Sequence, residues 1–134
     1  MSKEQLQKIT FEQLVEKSMQ RERDKMKVKV VEIPSMGGTL LLQKIAEKKV
    51  LEILDSVQSD QNLVNIIGEE RKLIYLCCPM LQDTKLHEAL GVSDPLDVVA
   101  KLFDIKETEL LAKAAMELNG AGDMTQKADE IKNL

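Results

Sequence analysis

The sequence predicts an α+β fold, predominantly helical, with one β-hairpin near the N-terminus. Apolar residues recur at helical spacing through most of the 134 residues, giving one-sided stripes of the kind that bury against a core. Charged and apolar residues alternate at period two over a single short stretch that begins at Lys27. Between residues 79 and 95, Pro, Asp and Gly stand where short helices stop and restart. The length suits one domain, organised as a helical arm over residues 1–25 and a hairpin with a helical body over residues 26–134.

The arm begins at Ile9-Thr10-Phe11-Glu12-Gln13-Leu14. Thr10 can cap, Gln13 can reach back to it, and Ile9 can pack on Leu14 as a hydrophobic staple. Phe11, Leu14, Val15 and Met19 then share one side of a helix that runs to about Asp24. From Met26 the period changes. Lys27-Val28-Lys29-Val30 alternates as a half-buried strand does, and Val31, Glu32 and Ile33 extend it. Pro34-Ser35-Met36-Gly37-Gly38 supplies one fixed torsion and residues free to take positive φ, and Thr39 to Leu42 is again β-competent, so residues 27–43 read as a hairpin.

The remainder is helical in pattern. Val50, Ile53, Leu54 and Val57 give an apolar face from about Ala46 to Val57. Ser59 or Asp60 caps a longer helix with the face Leu63, Ile66, Ile67, Ile74, Cys77 and Cys78, which Arg71 either interrupts or covers with its stem. Pro79 ends it, because proline lacks the backbone donor and disfavours helical torsions at Cys78. Asp83 starts a short helix lined by Leu86, Ala89 and Leu90, and Gly91 closes it. Asp94 caps the next with Pro95 at its first position and Asp97 near the positive end of its dipole. Its inward residues are Leu96, Val99, Ala100 and Phe103. Leu110, Leu111, Ala114, Ala115 and Leu118 define another helix, ended by Asn119-Gly120-Ala121-Gly122. Asp123 with Gln126 begins a last one, with Met124, Ala128 and Ile131 inward.

Composition narrows the function. Aromatic residues make up 2% of the chain, so the core is aliphatic, with seven Met that pack adaptably. The net charge of -4 is unevenly distributed: residues 1–30 carry eight Lys or Arg against five Asp or Glu, while the remainder carries eleven against eighteen. Such a split lets a basic arm pair with an acidic body, its own or a neighbour's, which leaves a homo-oligomer open. It argues against nucleic acid as the main partner, since phosphate binding needs a concentrated cationic face. The N-terminus lacks the apolar region of a signal peptide, and no apolar run approaches the roughly 20 residues of a membrane span, so a cytoplasmic location follows by default.

No catalytic, cofactor or metal set emerges. His87 is the only histidine, without local partners, and reads as solvent-facing. Cys77 and Cys78 lack the spacing of a redox pair and read as small buried hydrophobes. Gly37-Gly38 belongs to a turn, not a phosphate loop. Glu69-Glu70 reads as part of a solvated helix face. The pair of short helices from Asp83 to Phe103 has helix-turn-helix spacing, yet DPLDVVAKLF offers no Arg, Asn or Gln to read bases.

The hairpin with its helical body, the segment Cys78-Pro79-Met80-Leu81 with Leu86, then Gly91-Val92, Asp94-Pro95, Lys101-Leu102-Phe103 and the terminal Glu130-Ile131-Lys132-Asn133-Leu134 together resemble the XkdN-like tail assembly chaperones. These are encoded by long-tailed phages and by prophages of Gram-positive bacteria. The resemblance implies a non-enzymatic protein in the bacterial host cytoplasm that binds the tape-measure protein during tail morphogenesis and helps tail-tube subunits gather around it. It implies no catalytic residues, and in such systems a longer form arises by frameshifting. A chaperone for amphipathic helices needs an apolar face that can dock them. The arm residues Phe11, Leu14, Val15 and Met19 are the candidates, unless that stripe packs on its own body. The rival reading is a small DNA-associated regulatory protein of a mobile element.

Overall fold

A computed structural model of the chain describes residues 6–122. The order is α1 (Phe11–Asp24), β1 (Val28–Ile33), β2 (Gly38–Gln43), α2 (Glu47–Ser59), α3 (Leu63–Cys77), α4 (Thr84–Leu90), α5 (Asp97–Leu102) and α6 (Ile105–Leu118). Short 3-10 turns occupy Pro34–Met36 and Pro79–Gln82. This is the mostly helical α+β architecture with a single hairpin that the periodicities predict. The helix expected from Asp123 onward, with Met124, Ala128 and Ile131 inward, lies outside the described residues.

The core is a pair of helices, α3 and α6, packed on each other and covered by the hairpin. α2 and α5 flank α3. Leu73, Ile74 and Cys77 from α3 meet Leu111, Ala115 and Met116 from α6 in one cluster that also takes in Val31, Ile33 and Leu42 of the hairpin. α6 starts with a reciprocal capping box: Asp104 accepts from the Glu107 amide at 2.8 Å, and Glu107 accepts from the Asp104 amide at 3.2 Å. Thr108, fully buried one turn in, donates its hydroxyl to the Asp104 carbonyl at 2.7 Å, so burial leaves no polar atom of its side chain stranded.

The two strands are antiparallel in a register that runs from Val28 opposite Gln43 to Ile33 opposite Gly38. Pro34 opens the 3-10 turn and Gly37 closes it at φ 65, a left-handed torsion that needs glycine here. The face that is buried differs from the one the alternation favours. Val31 and Ile33 point to the core, while Val28 and Val30 face out. Lys29, on the same side as Val31 and Ile33, reaches the rim and pairs with Glu117 of α6 at 2.9 Å. A charged residue on the inner face is tolerable because it lies at the edge, where its amine meets a carboxylate in water.

Four helix faces also differ from expectation. In α3 the buried residues are Ile66, Glu70, Leu73, Ile74 and Cys77. Leu63 is exposed, and the cap is Asn62, which accepts from the Val64 amide at 2.9 Å, with Asp60 in turn accepting from the Asn62 amide. Arg71 is half-buried, so its stem covers the face, and the charged residue inside the stripe is Glu70. In α5 the inward residues are Val98, Val99 and Phe103, whereas Leu96 and Ala100 are exposed. The helix begins two residues late, because Asp94 spends its carboxylate on the Leu96 amide in a turn before it. In α4, Leu86 and Leu90 are half-buried but Ala89 is exposed, and in α6 Leu110 is exposed while Ala112 and Met116 are buried. The stop signals hold: α3 ends at Cys77 before Pro79, and Gly91 caps α4 at φ 67.

Candidate partner surface

α1 is built by local chemistry alone. Thr10 accepts from the Gln13 amide at 3.2 Å and Gln13 accepts from the Thr10 amide at 2.9 Å, the capping box the sequence predicts. Arg21 and Arg23 sit in the last turn, where cations oppose the negative end of the helix dipole. None of its fourteen residues is buried. Phe11 is 76% exposed, Leu14 59%, Val15 44% and Met19 55%, so the stripe presents its apolar area to water instead of to its own body. Ile9 is also exposed, and a staple to Leu14 shields little.

Two ionic contacts fix the arm at its base. Arg21 meets Glu47 of α2 at 3.0 Å, and Lys27 meets Asp24 at 3.2 Å. The hydrogen bond from Gln20, with Lys27 beside it, holds the Asp24 carboxyl below its ordinary range. Lys25 does the same for Glu22 by hydrogen bond and charge. Exposed pairs of this kind contribute little, typically about 0 to 1 kcal/mol. Between α1 and the start of α2 lies a cleft of about 790 Å3, bordered by Leu14 and Arg21 on one side and by Ile45, Glu47 and Asn119 on the other. The four arm residues thus share a helix but not an environment: Leu14 borders this cleft, and Phe11, Val15 and Met19 do not.

A second apolar area is on the hairpin. Val28, Val30 and Leu41, with Val30 opposite Leu41 in the register, form its exposed outer face. Sequence reasoning missed it because period-two alternation fixes which residues share a face but not which face is covered. The signal available was the run Val30-Val31, where one of two adjacent valines must face out.

The remaining candidates are structural. Cys77 and Cys78 are fully buried; burial pushes the Cys77 thiol up to about 11 and raises that of Cys78 too, so neither is a ready thiolate. Asn119 lies beside them, its amide nitrogen donating to the Ala115 carbonyl at 2.8 Å and its oxygen accepting from the Ile45 amide at 3.1 Å. It therefore ties the end of α6 to the β2–α2 connection, a role hidden behind its place in a Gly-rich turn. His87 is half-buried, not solvent-facing: its Nε2 donates to the Leu81 carbonyl at 2.8 Å, and its ring lies 6.0 Å from that of Tyr75. The sequence placed Glu70 on a solvated face, but it is 3% exposed at the centre of the α3 stripe. Among the described residues no group of three or more His, Cys, Asp and Glu could hold a metal ion, and no helix is long and apolar enough to cross a membrane.

No protein-family model, no curated protein and no solved structure matches this chain.

Proposed function

We propose that the chain is a non-enzymatic tail assembly chaperone of the XkdN-like kind, acting in the bacterial cytoplasm on the tape-measure protein of a phage or prophage, with tail-tube protein as a further partner. One observation carries the reading: α1 is a capped amphipathic helix whose apolar stripe of Phe11, Leu14, Val15 and Met19 is exposed along its length. A client that is itself a long apolar helix presents the complementary stripe, and helix-to-helix docking reads it at i, i+3, i+4 and i+8 anchors. The acidic body beneath the arm would keep a loaded complex soluble.

The test is co-expression with the tape-measure protein encoded beside it. Wild-type chain recovers the client, and a Phe11→Asp, Leu14→Asp variant loses it while retaining the helical signal of the body. Undiminished recovery by that variant removes the arm from the mechanism. A shift of nonspecific DNA at low salt would instead favour the DNA-associated regulator.

A further inference from the structure

The wall that α1 presents to the cleft beside α2 is a basic row. Lys17, Arg21 and Lys25 follow one another at intervals of four residues, which stacks them on one side of the helix, and all three border the cleft of about 790 Å3. Like charges at that spacing repel, so an opposite charge laid along the row relieves the helix. Lys44 stands on the other wall. Two of the four cations are answered within the chain, Arg21 by Glu47 at 3.0 Å and Lys25 by Glu22 at 2.8 Å. Lys17 and Lys44 make no ion pair among the described residues. Lys44 is moreover half-buried, and Asp24, whose carboxyl feels its charge, is already held by Gln20 and Lys27. The apolar lining is Leu14, 59% exposed, with Ile45, Ala46 and Val50 on the α2 side.

We propose that this cleft takes an amphipathic helix with acidic flanks, supplied by another protein. The apolar face of that helix covers Leu14 and Ile45, and its carboxylates meet Lys17 on one wall and Lys44 on the other. The α1 wall runs from Leu14 to Lys25, a length of about 16 Å or about three turns of a partner helix. A helix of the same apolar pattern with basic flanks is refused, because its cations would stand against the two that have no counter-charge. A nucleic-acid backbone fits less well than a helix, since Glu22 and Glu47 stand in the same lining and the apolar residues offer phosphates no partner. The proposal deepens the reading of α1 as a client-docking arm and rests on it: apolar anchors give the client its grip, and acidic flanks distinguish it from other helices.

The test is peptide binding to the full chain, read by fluorescence anisotropy. Two labelled synthetic helices of about 18 residues share one leucine stripe and differ only in their flanks, Glu in one and Lys in the other. The acidic peptide should bind about tenfold more tightly at about 50 mM salt, and the gap should close toward about 500 mM. Lys17→Glu with Lys44→Glu should reverse the preference. Lys106→Glu with Lys113→Glu, the same change of charge at exposed positions on α6, should leave it in place. Equal affinity for the two peptides, no binding of either, or equal effects of the two double variants would overturn the assignment. So would displacement of the acidic peptide by duplex DNA, or weaker binding at raised protein concentration as a second copy fills the cleft. The readout needs no tape-measure protein, so recovery of that client in co-expression judges the chaperone reading separately, whichever peptide the cleft prefers.

Discussion

α1 and α6 are the same helix by every local measure. Each has fourteen residues, a reciprocal capping box and an apolar stripe. α6 buries Thr108, Leu111, Ala112, Ala114, Ala115 and Met116, whereas α1 buries nothing. The difference shows that capping and periodicity specify that a helix forms, while burial depends on what stands opposite. α6 faces α3 and the hairpin across one cluster. α1 meets the body through the surface ion pair of Arg21 with Glu47 and through Leu14 at the edge of a cleft. A free helix of this length is marginal in water, so α1 is the element for which a partner has the most to contribute.

The comparison breaks most readily in the core. Leu111→Ala should lower the free energy of unfolding by about 2 to 5 kcal/mol, read as a fall in the urea midpoint at unchanged slope. A loss under about 1 kcal/mol would mean that α6 is not the tightly packed partner of α3 described above.

A smaller effect sits next to α6, at Cys77. The folded chain holds the thiol proton beyond the ordinary value of 9.0, to about 11, whereas the unfolded chain releases it near 9. Stability is therefore fully present below pH 9 and is lost as pH rises toward 11, by an amount on the order of 1 to 3 kcal/mol. Cys77→Ala should flatten that decline in a pH series of urea midpoints. An equally steep fall in the variant would place its origin elsewhere.

The two capping boxes sharpen the comparison directly. Asp104→Ala should cost about 0.5 to 2 kcal/mol of global stability. Thr10→Ala removes the equivalent bond from α1 and should reduce the far-ultraviolet helical signal while leaving the midpoint in place. If both shifted the midpoint alike, the arm would be part of the cooperative unit. The smallest expected effect is Phe11→Ala, within about 0.5 kcal/mol on stability, as for a surface position. A larger loss would mean that the stripe is covered in solution.

How far the sequence reaches depends on the range of the physics. Thr10 with Gln13, Pro79, Asp83 and Gly91 act within one helical turn and were legible at once. Ser59, Asp60 and Asn62 can all cap, and the choice of Asn62 rests on where Ile66 and Leu73 must point. The α5 face differs from its periodicity at Leu96 and Ala100 because Asp94 is used in a turn, which delays the helix and brings Val98 inward. The charge of Glu70 points to solvent, whereas its place in the α3 stripe buries it. The arm residues Phe11, Leu14, Val15 and Met19 were legible as a stripe, but their exposure was not, since a stripe that packs at home has the same spacing.

The sequence by itself determined the order of the elements, the stops at Pro79 and Gly91, the hairpin turn at Gly37 and the aliphatic nature of the core, because torsional limits, caps and hydrophobic periods are local. Only the tertiary structure decided which face of the hairpin is wet, that α3 and α6 form the centre, that Asn119 reaches the Cys77 sulfur, and that α1 is left without cover. These depend on which apolar surfaces find each other, and burial is non-directional and set by the whole chain at once.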